Sequence, residues 1–288
     1  MSTLLYRDRM HYYTRSGRPR TVTLFLKRAA GMRRFQAKLD RSMSKRHKPD
    51  IIRVVPMRLA GAPPATSPKL TYRNGPLISA VEVTTIFWGP WWNQATNTAT
   101  ATKLNTFFDY ILTSSLMDQL AEYGVTGKPI GHGSRVATLT VAQAPASSVD
   151  DSAIQSMLNA QLKAGAVPAA GKNSLYFIYL PSGVPVTMSG QSSCQAFCGY
   201  HDVIGTTTFY AVEPYPDCQG CLGGSNAFDA MTITSSHELC ESVTDPIPGE
   251  GWYDDTNGEI GDICAWQTKT IGAYTVQLEW SNAANACK

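Results

Sequence analysis

Hydrophobic and polar positions become periodic from residue 71 onward. Ala80-Val-Glu-Val-Thr-Thr-Ile-Phe-Trp88 is β-branched and aromatic, closes on Gly89-Pro90, and predicts a buried strand. Leu104, Phe107, Phe108, Ile111 and Leu112 recur at helical spacing and predict one long helix over 100–122, with Gly124 where a C-cap belongs. Arg135–Ala142 predicts a second strand. Ser148 and Asp151 spell a capping box before an amphipathic helix carrying Ile154, Met157, Leu158 and Leu162. Leu175–Leu180 predicts a third strand, ended by Pro181-Ser-Gly. Further on, Thr208–Val212 reads as an edge strand and Phe228–Thr244 as a helix that stops before Pro246. Tyr274, Val276, Leu278 and Trp280 alternate with polar residues, as in a half-buried antiparallel strand. Strands alternating with helices predict an α/β fold, a three-layer mixed sheet with flanking helices. There is no internal repeat.

Residues 1–70 show no such order. Basic pairs punctuate them (Lys27-Arg28, Arg33-Arg34, Lys45-Arg46-His47-Lys48), and a short helix over Met32–Ser44 is the only element they suggest. Val22–Leu26, the longest apolar piece, is too short for a signal-peptide core and lacks a small-residue cleavage site after it. Residues 60–68 read as a Pro-rich linker. The predicted organisation is therefore a basic extension or pro-segment over 1–70 and a folded domain over 71–288.

Charge sharpens that division. The 288 residues carry a net charge of +3, yet residues 1–70 hold 17 Lys/Arg against 3 Asp/Glu, and residues 71–288 hold 8 against 19. A segment of +14 and a body of −11 are averaged into one number. The segment has three readings: a solvated extension, a pro-segment docking on the acidic body through complementary charge, and a nucleic-acid arm. The last is the weakest, because no recognised motif accompanies the charge. Hydrophobic residues at 43% exclude wholesale disorder, and no apolar run approaches the roughly 18 residues of a membrane span.

All seven cysteines lie between Cys194 and Cys287. Local disulfides in an oxidising compartment are the first expectation, giving a stapled C-terminal part with one thiol left over. A zinc knuckle built from Cys218/Cys221 and Cys194/Cys198 is the competing one. Pairing stays open at this level. Cys240, inside a helix, is the expected unpaired thiol.

The chemistry points to Ser235-Ser-His-Glu-Leu-Cys-Glu-Ser-Val-Thr-Asp-Pro246. On a helix, His237 and Glu241 stack on one face while Leu239 and Val243 point to the core. Glu238 sits about 100° round from His237, close enough to act on something held by that pair. This is the His-Glu-x-x-His geometry of zinc peptidases with Glu241 as the second ligand. Taken alone, it is as readily an i,i+4 polar pair on a helix surface. Downstream, Asp254, Asp255, Glu259 and Asp262 form an acidic patch around the hairpin signal Asn257-Gly258. Asp262 or Glu259 is the expected third ligand, with Asp262 preferred and only one of them binding, since a strand would face them apart. His201 and Tyr253 are candidate oxyanion stabilisers. Zinc is the expected metal. Calcium is the alternative that oxygen-rich clusters allow, although no EF-hand register fits.

The motifs in order resemble the phosphate-induced, EXORDIUM-like family of plant cell-wall proteins and its microbial relatives. They are Tyr72-Arg-Asn-Gly-Pro-Leu77, Ile86-Phe-Trp-Gly89, Cys198-Gly-Tyr-His201, Cys218 and Cys221, and Asp229-Ala-Met231. His237-Glu-Leu-Cys-Glu241, Thr244-Asp-Pro246, Trp252-Tyr253 and Glu259-Ile-Gly-Asp-Ile-Cys264 complete the set. Two departures stand out: two residues rather than three separate Cys218 from Cys221, and a basic segment takes the place of a signal peptide. The resemblance implies an extracellular or cell-wall location and a zincin-like metallopeptidase helix. The function expected is that of a secreted zinc peptidase acting on peptide or protein substrates, with metal-activated water and Glu238 as general base. The competing expectation is a non-catalytic extracellular protein that binds a wall polymer and carries a structural zinc or calcium ion.

Overall fold

Six of the extended segments pair into one sheet. In chain order they are β1 (Val54–Pro56), β2 (Glu82–Trp88), β3 (Ser134–Val141), β4 (Ser174–Tyr179), β5 (Phe197–Ile204) and β6 (Thr208–Glu213). The computed structural model describes residues 54–57 and 67–288, together with the backbone of Arg9–Tyr13 and Pro19–Thr23. The sheet order is β1-β5-β6-β4-β2-β3. β2 runs parallel to β3 and β4, and β4 parallel to β6. β5 lies antiparallel to β6 and β1. The sheet is therefore mixed: strand–helix alternation accounts for its parallel half, and the β5–β6 hairpin with β1 supplies the antiparallel half.

Five helices accompany it among the described residues: α1 (Ala95–Ile111), α2 (Ser115–Leu120), α3 (Asp151–Lys163), α4 (Gln219–Leu222) and α5 (Ala227–Thr244). β4 is buried throughout and shows how its two faces divide. Leu175, Phe177 and Tyr179 pack with Leu104, Phe107 and Phe108 of α1 and with Leu239 and Val243 of α5. Tyr176 and Ile178 pack with Ile154, Met157 and Leu158 of α3. Helices thus cover both faces, and the central strand β4 reads as an unbroken apolar run from Leu175 to Tyr179.

Several local expectations need correcting. The helix over 100–122 is broken at residues 112–114, because Ser114 leaves the helix and caps α2, its side chain accepting from the Leu116 N–H. Gly124 is no left-handed cap, having φ −66 after a single turn of 3-10 helix. Asp150, not Ser148, caps α3, accepting from Ala153 N at 2.8 Å, while Ser148 Oγ donates to Pro185 O. β6 is interior rather than an edge, since β5 folds back beside it. The alternation over 274–281 is split between two short ladders, Thr268–Ile271 with Tyr274–Gln277 and Trp280–Ser281 with Ala286–Cys287. Its polar members Gln277 and Glu279 are fully buried.

The chain divides into two compact units, Met1–Pro49 and Asp50–Lys288. In the first, Arg9–Tyr13 pairs antiparallel with Pro19–Thr23; the helix expected over Met32–Ser44 lies outside the described residues. β1, drawn from the stretch that composition grouped with the basic extension, belongs to the second unit. Its Val55 is buried against Cys198 and Cys221, and Pro56 O accepts from the Trp266 indole N–H at 2.8 Å. Cys194–Cys218, Cys198–Cys221 and Cys264–Cys287 are disulfides, and Cys240 is a buried free thiol. The cysteine pairs that could have formed a zinc knuckle are cross-linked to each other instead. No helix among the described residues is long and apolar enough to cross a membrane.

Candidate metal centre

α5 is the element on which the site is built. Asn226 caps its start by accepting from Asp229 N, and Asp245 closes its end by accepting from the N–H groups of Gly249, Glu250 and Gly251. Between these caps, Ala230–Thr244 is buried on every side. Met231, Leu239, Cys240 and Val243 join the core shared with α1 and α2. The backbone of Gln277 runs along another side, donating to Ser236 Oγ at 2.9 Å. β5 approaches the remaining side, where His237, Glu238 and Glu241 gather at 0% exposure.

Two glycines allow that approach. A Cβ at Gly199 of β5 would stand 2.6 Å from the Thr234 methyl and 3.2 Å from Glu238 Oε1. A Cβ at Gly261 would stand 2.7 to 2.9 Å from three atoms of the His237 ring. Both positions are reserved for the backbone so that the polar side chains can converge.

The side chains form two trios sharing one carboxylate. In the first, His237 Nε2 lies 2.9 Å from Glu241 Oε1, and Asp262 completes the group. In the second, His201 and Glu238 join Glu241; His201 Nε2 is 3.7 Å from Glu241 Oε2. Within each trio one ligand atom per residue lies within 4.8 Å of the others. Glu259 flanks the second trio, with both oxygens 3.2 Å from His201 Nε2. Asp262 N–H donates to Glu241 Oε1 at 3.1 Å, and Asp262 Oδ2 accepts from Glu259 N. The chain between Glu259 and Asp262 is a tight turn leading into a 3-10 helix, not a strand. The expectation that only one of the two faces inward is therefore corrected: each addresses a different histidine. Tyr253 belongs to neither trio. It lies in a short ribbon with Thr71, its ring 4.4 Å beneath the Arg73 guanidinium.

Unsatisfied polar atoms mark what the trios could hold. His237 Nε2, both Glu238 oxygens, Glu241 Oε2 and Asp262 Oδ1 are buried without a hydrogen-bond partner among the described residues. Such atoms are costly unless something compensates them. His237 Nε2 lies 2.9 Å from Glu241 Oε1, within ion-pair distance when the ring carries a proton there. One nitrogen and two carboxylates suit zinc or a harder divalent cation. A cation is the compensation that this donor set fits.

Electrostatics point the same way. Burial, reinforced by the charges of Glu241 and its neighbours, pushes the carboxyls of Glu238, Glu259 and Asp262 well above the usual carboxylate range. Burial alone would disfavour a charged His237. The Glu241, Glu238 and Asp262 charges outweigh it and hold that imidazole well above its ordinary value.

Gln277 and Glu213 are parts of the environment that sequence reading missed. Gln277 Oε1 accepts from Trp266 N, while its Nε2 lies 2.9 Å from Gly261 O and 2.8 Å from His237 Nδ1. That orientation makes Nδ1 an acceptor and leaves a neutral ring's proton on Nε2. A cation held through Nε2 puts the proton on Nδ1, so that Gln277 Nε2 gives up its contact with Nδ1 and keeps only its bond to Gly261 O. Glu213, at the end of β6, is buried beside His237 and Ser235, and its carboxyl is raised by burial. A polar residue in the expected strand pattern gave no hint that Gln277 would face inward; its place beside α5 depends on tertiary packing.

No protein-family model and no curated protein matches this chain. Among solved structures, one titled as the structure of a chaperone–substrate complex is similar at 18% identity with a TM-score of 0.30. That match covers 56% of this chain, which spans 23% of the other's length.

Proposed function

We propose that the protein is a divalent-metal-dependent hydrolase, a secreted zinc peptidase with a zincin-like helix, related to the EXORDIUM-like family. The observation that carries this reading is the trio of buried His237 and Glu241 with half-buried Asp262, each with an unpartnered buried atom, and Glu238 beside it on the same helix. His237, Glu241 and Asp262 would hold the cation, which when bound supplies a Lewis acid for a carbonyl oxygen. Glu238 then has the position of a general base: it takes a proton from the attacking water and returns it to the leaving amine. Glu259 holds His201 in place, so that the His201 imidazole can donate to a developing oxyanion. The three disulfides support an oxidising, extracellular setting.

A second reading is a non-catalytic extracellular protein with a structural cation, for example one that binds a wall polymer. What favours it is the complete burial of His237, Glu238, Glu241 and Glu259. Metal analysis and a peptidase assay on wild type and Glu238→Gln separate the two. Stoichiometric metal with hydrolysis lost in the variant supports the hydrolase. Stoichiometric metal without hydrolysis of a broad peptide library supports the structural role, and protein without metal removes both.

A further inference from the structure

The hydrolase reading uses one trio, and the second trio stands beside it unexplained. We infer that the centre takes two divalent cations, with Glu241 bridging them and His201, Glu238 and Glu259 holding the second. This rests on the reading of the first trio as a cation site.

Three observations carry it. The two oxygens of Glu241 are divided: Oε1 faces His237 and accepts from the Asp262 backbone N–H, and Oε2 faces His201. A carboxylate that presents one oxygen to each of two donor groups is arranged as a bridge. Next, both oxygens of Glu238 are buried at 0% exposure with no hydrogen-bond partner among the described residues, although Glu238 lies within ligand reach of His201 and Glu241. The first site makes no use of them as ligands. Space for that carboxylate is kept by Gly199, where any Cβ would come within 3.2 Å of Glu238 Oε1.

Charge completes the case. Glu238, Glu241 and Glu259, all fully buried, and the half-buried Asp262 place four carboxylates around two imidazoles. With Glu213 and Glu279 also buried nearby, the cluster holds more carboxylates than one divalent cation can balance. The second donor set, one imidazole nitrogen among carboxylate oxygens, is harder than a zinc-finger set and suits Mn2+. Filling it engages Glu238 as a ligand and so removes it as a base. The second cation is therefore expected to slow the hydrolysis that the first permits.

Titration of the metal-stripped full chain with Mn2+, followed by calorimetry and by electron paramagnetic resonance, tests this. Two equivalents are expected for wild type, with an exchange-coupled spectrum from the bridged pair. Glu238→Gln, nearly isosteric, is expected to bind one equivalent and give the spectrum of isolated Mn2+. His201→Gln is a second variant that removes a ligand from the same side only, and circular dichroism checks that each folds. Saturation of wild type at one equivalent overturns the proposal, as do two equivalents in both variants. The hydrolase reading is judged separately. Two coupled cations, with no hydrolysis at either one or two equivalents, leave the paired site standing and the peptidase refuted, whereas hydrolysis by a wild type that saturates at one equivalent does the reverse.

Discussion

Gly261→Ala probes how tightly the centre is built. Gly261 has φ −79 and ψ −39, a conformation alanine adopts freely, so the substitution adds a methyl group without backbone strain. The methyl carbon would lie 2.7, 2.8 and 2.9 Å from Nδ1, Cγ and Cε1 of His237, where ordinary contact begins at 3.4 Å. The ring must recede by about 0.7 Å, the difference between 3.4 and 2.7 Å. It has little room to do so, because Gln277 holds Nδ1 at 2.8 Å and α5 carries the ring in a fully buried setting. Overpacking of this kind costs roughly 1–3 kcal/mol, offset by about 0.4–1 kcal/mol from the reduced freedom of the unfolded chain. A net loss of about 1–2 kcal/mol corresponds to a Tm lower by roughly 2–8 °C. Cation affinity should fall further than stability, because metal–ligand distances tolerate only about 0.2 Å. Thermal denaturation and calorimetric titration read the two effects. Gly171→Ala, whose Cβ would make an ordinary 3.6 Å contact with Ser174 Oγ, is the control. If Gly261→Ala melts with wild type and binds cation as tightly, the close approach of this turn to His237 plays no part in holding the site.

Other predictions follow from single residues. Burial pushes the Asp245 carboxyl up from 3.8 to about 6, against its backbone and side-chain hydrogen bonds. The folded state thus binds that proton more tightly than the unfolded state, so its contribution to stability is present below about pH 4 and declines up to about pH 6. Roughly 3 kcal/mol is at stake at about 1.4 kcal/mol per pH unit, and urea unfolding of Asp245→Asn across that window should lack the decline. Gln277→Glu offers an acceptor to Nδ1–H of His237 and should tighten cation binding about 10-fold or more while lowering the stability of the metal-stripped protein; unchanged affinity would show that Nδ1 is not the controlling atom. Cys240 is fully buried with its thiol pushed well up by burial, so a thiol reagent should find no reactive cysteine in the native protein and one after unfolding without reductant. Removing the Cys264–Cys287 bridge, which spans 23 residues, should cost about 3 kcal/mol, read as a lower urea midpoint.

Sheet strands and amphipathic helices were legible because their signals are local. β2 and β4 are apolar runs bounded by breakers, and the Ile154, Met157 and Leu158 stripe of α3 depends on spacing within one helix. The pairing of His237 with Glu241 was legible for the same reason. What failed depended on competition or on distance. Ser114 and Asp150 each took a backbone N–H that the periodic pattern had assigned elsewhere. The interior position of β6 is decided by β5, and Glu259 and Asp262 face the same centre only because a turn replaces the expected strand. Gln277 reads as the exposed half of an alternation, yet lies buried against His237 from 40 residues away.

β1 has a practical side. It is three residues long and covers the open side of β5, the strand that carries His201. A protein shortened to begin at residue 67 would lose it, baring the β5 edge and the apolar ground between Cys198 and Cys221 where Val55 sits. An uncovered edge of this kind invites a foreign strand or a second copy of the chain. Beginning at Asp50 keeps the cover in place. A synthetic peptide spanning residues 50–57 should rescue the shorter form if supplied separately, which makes this short ladder a handle for switching the centre's surroundings from outside.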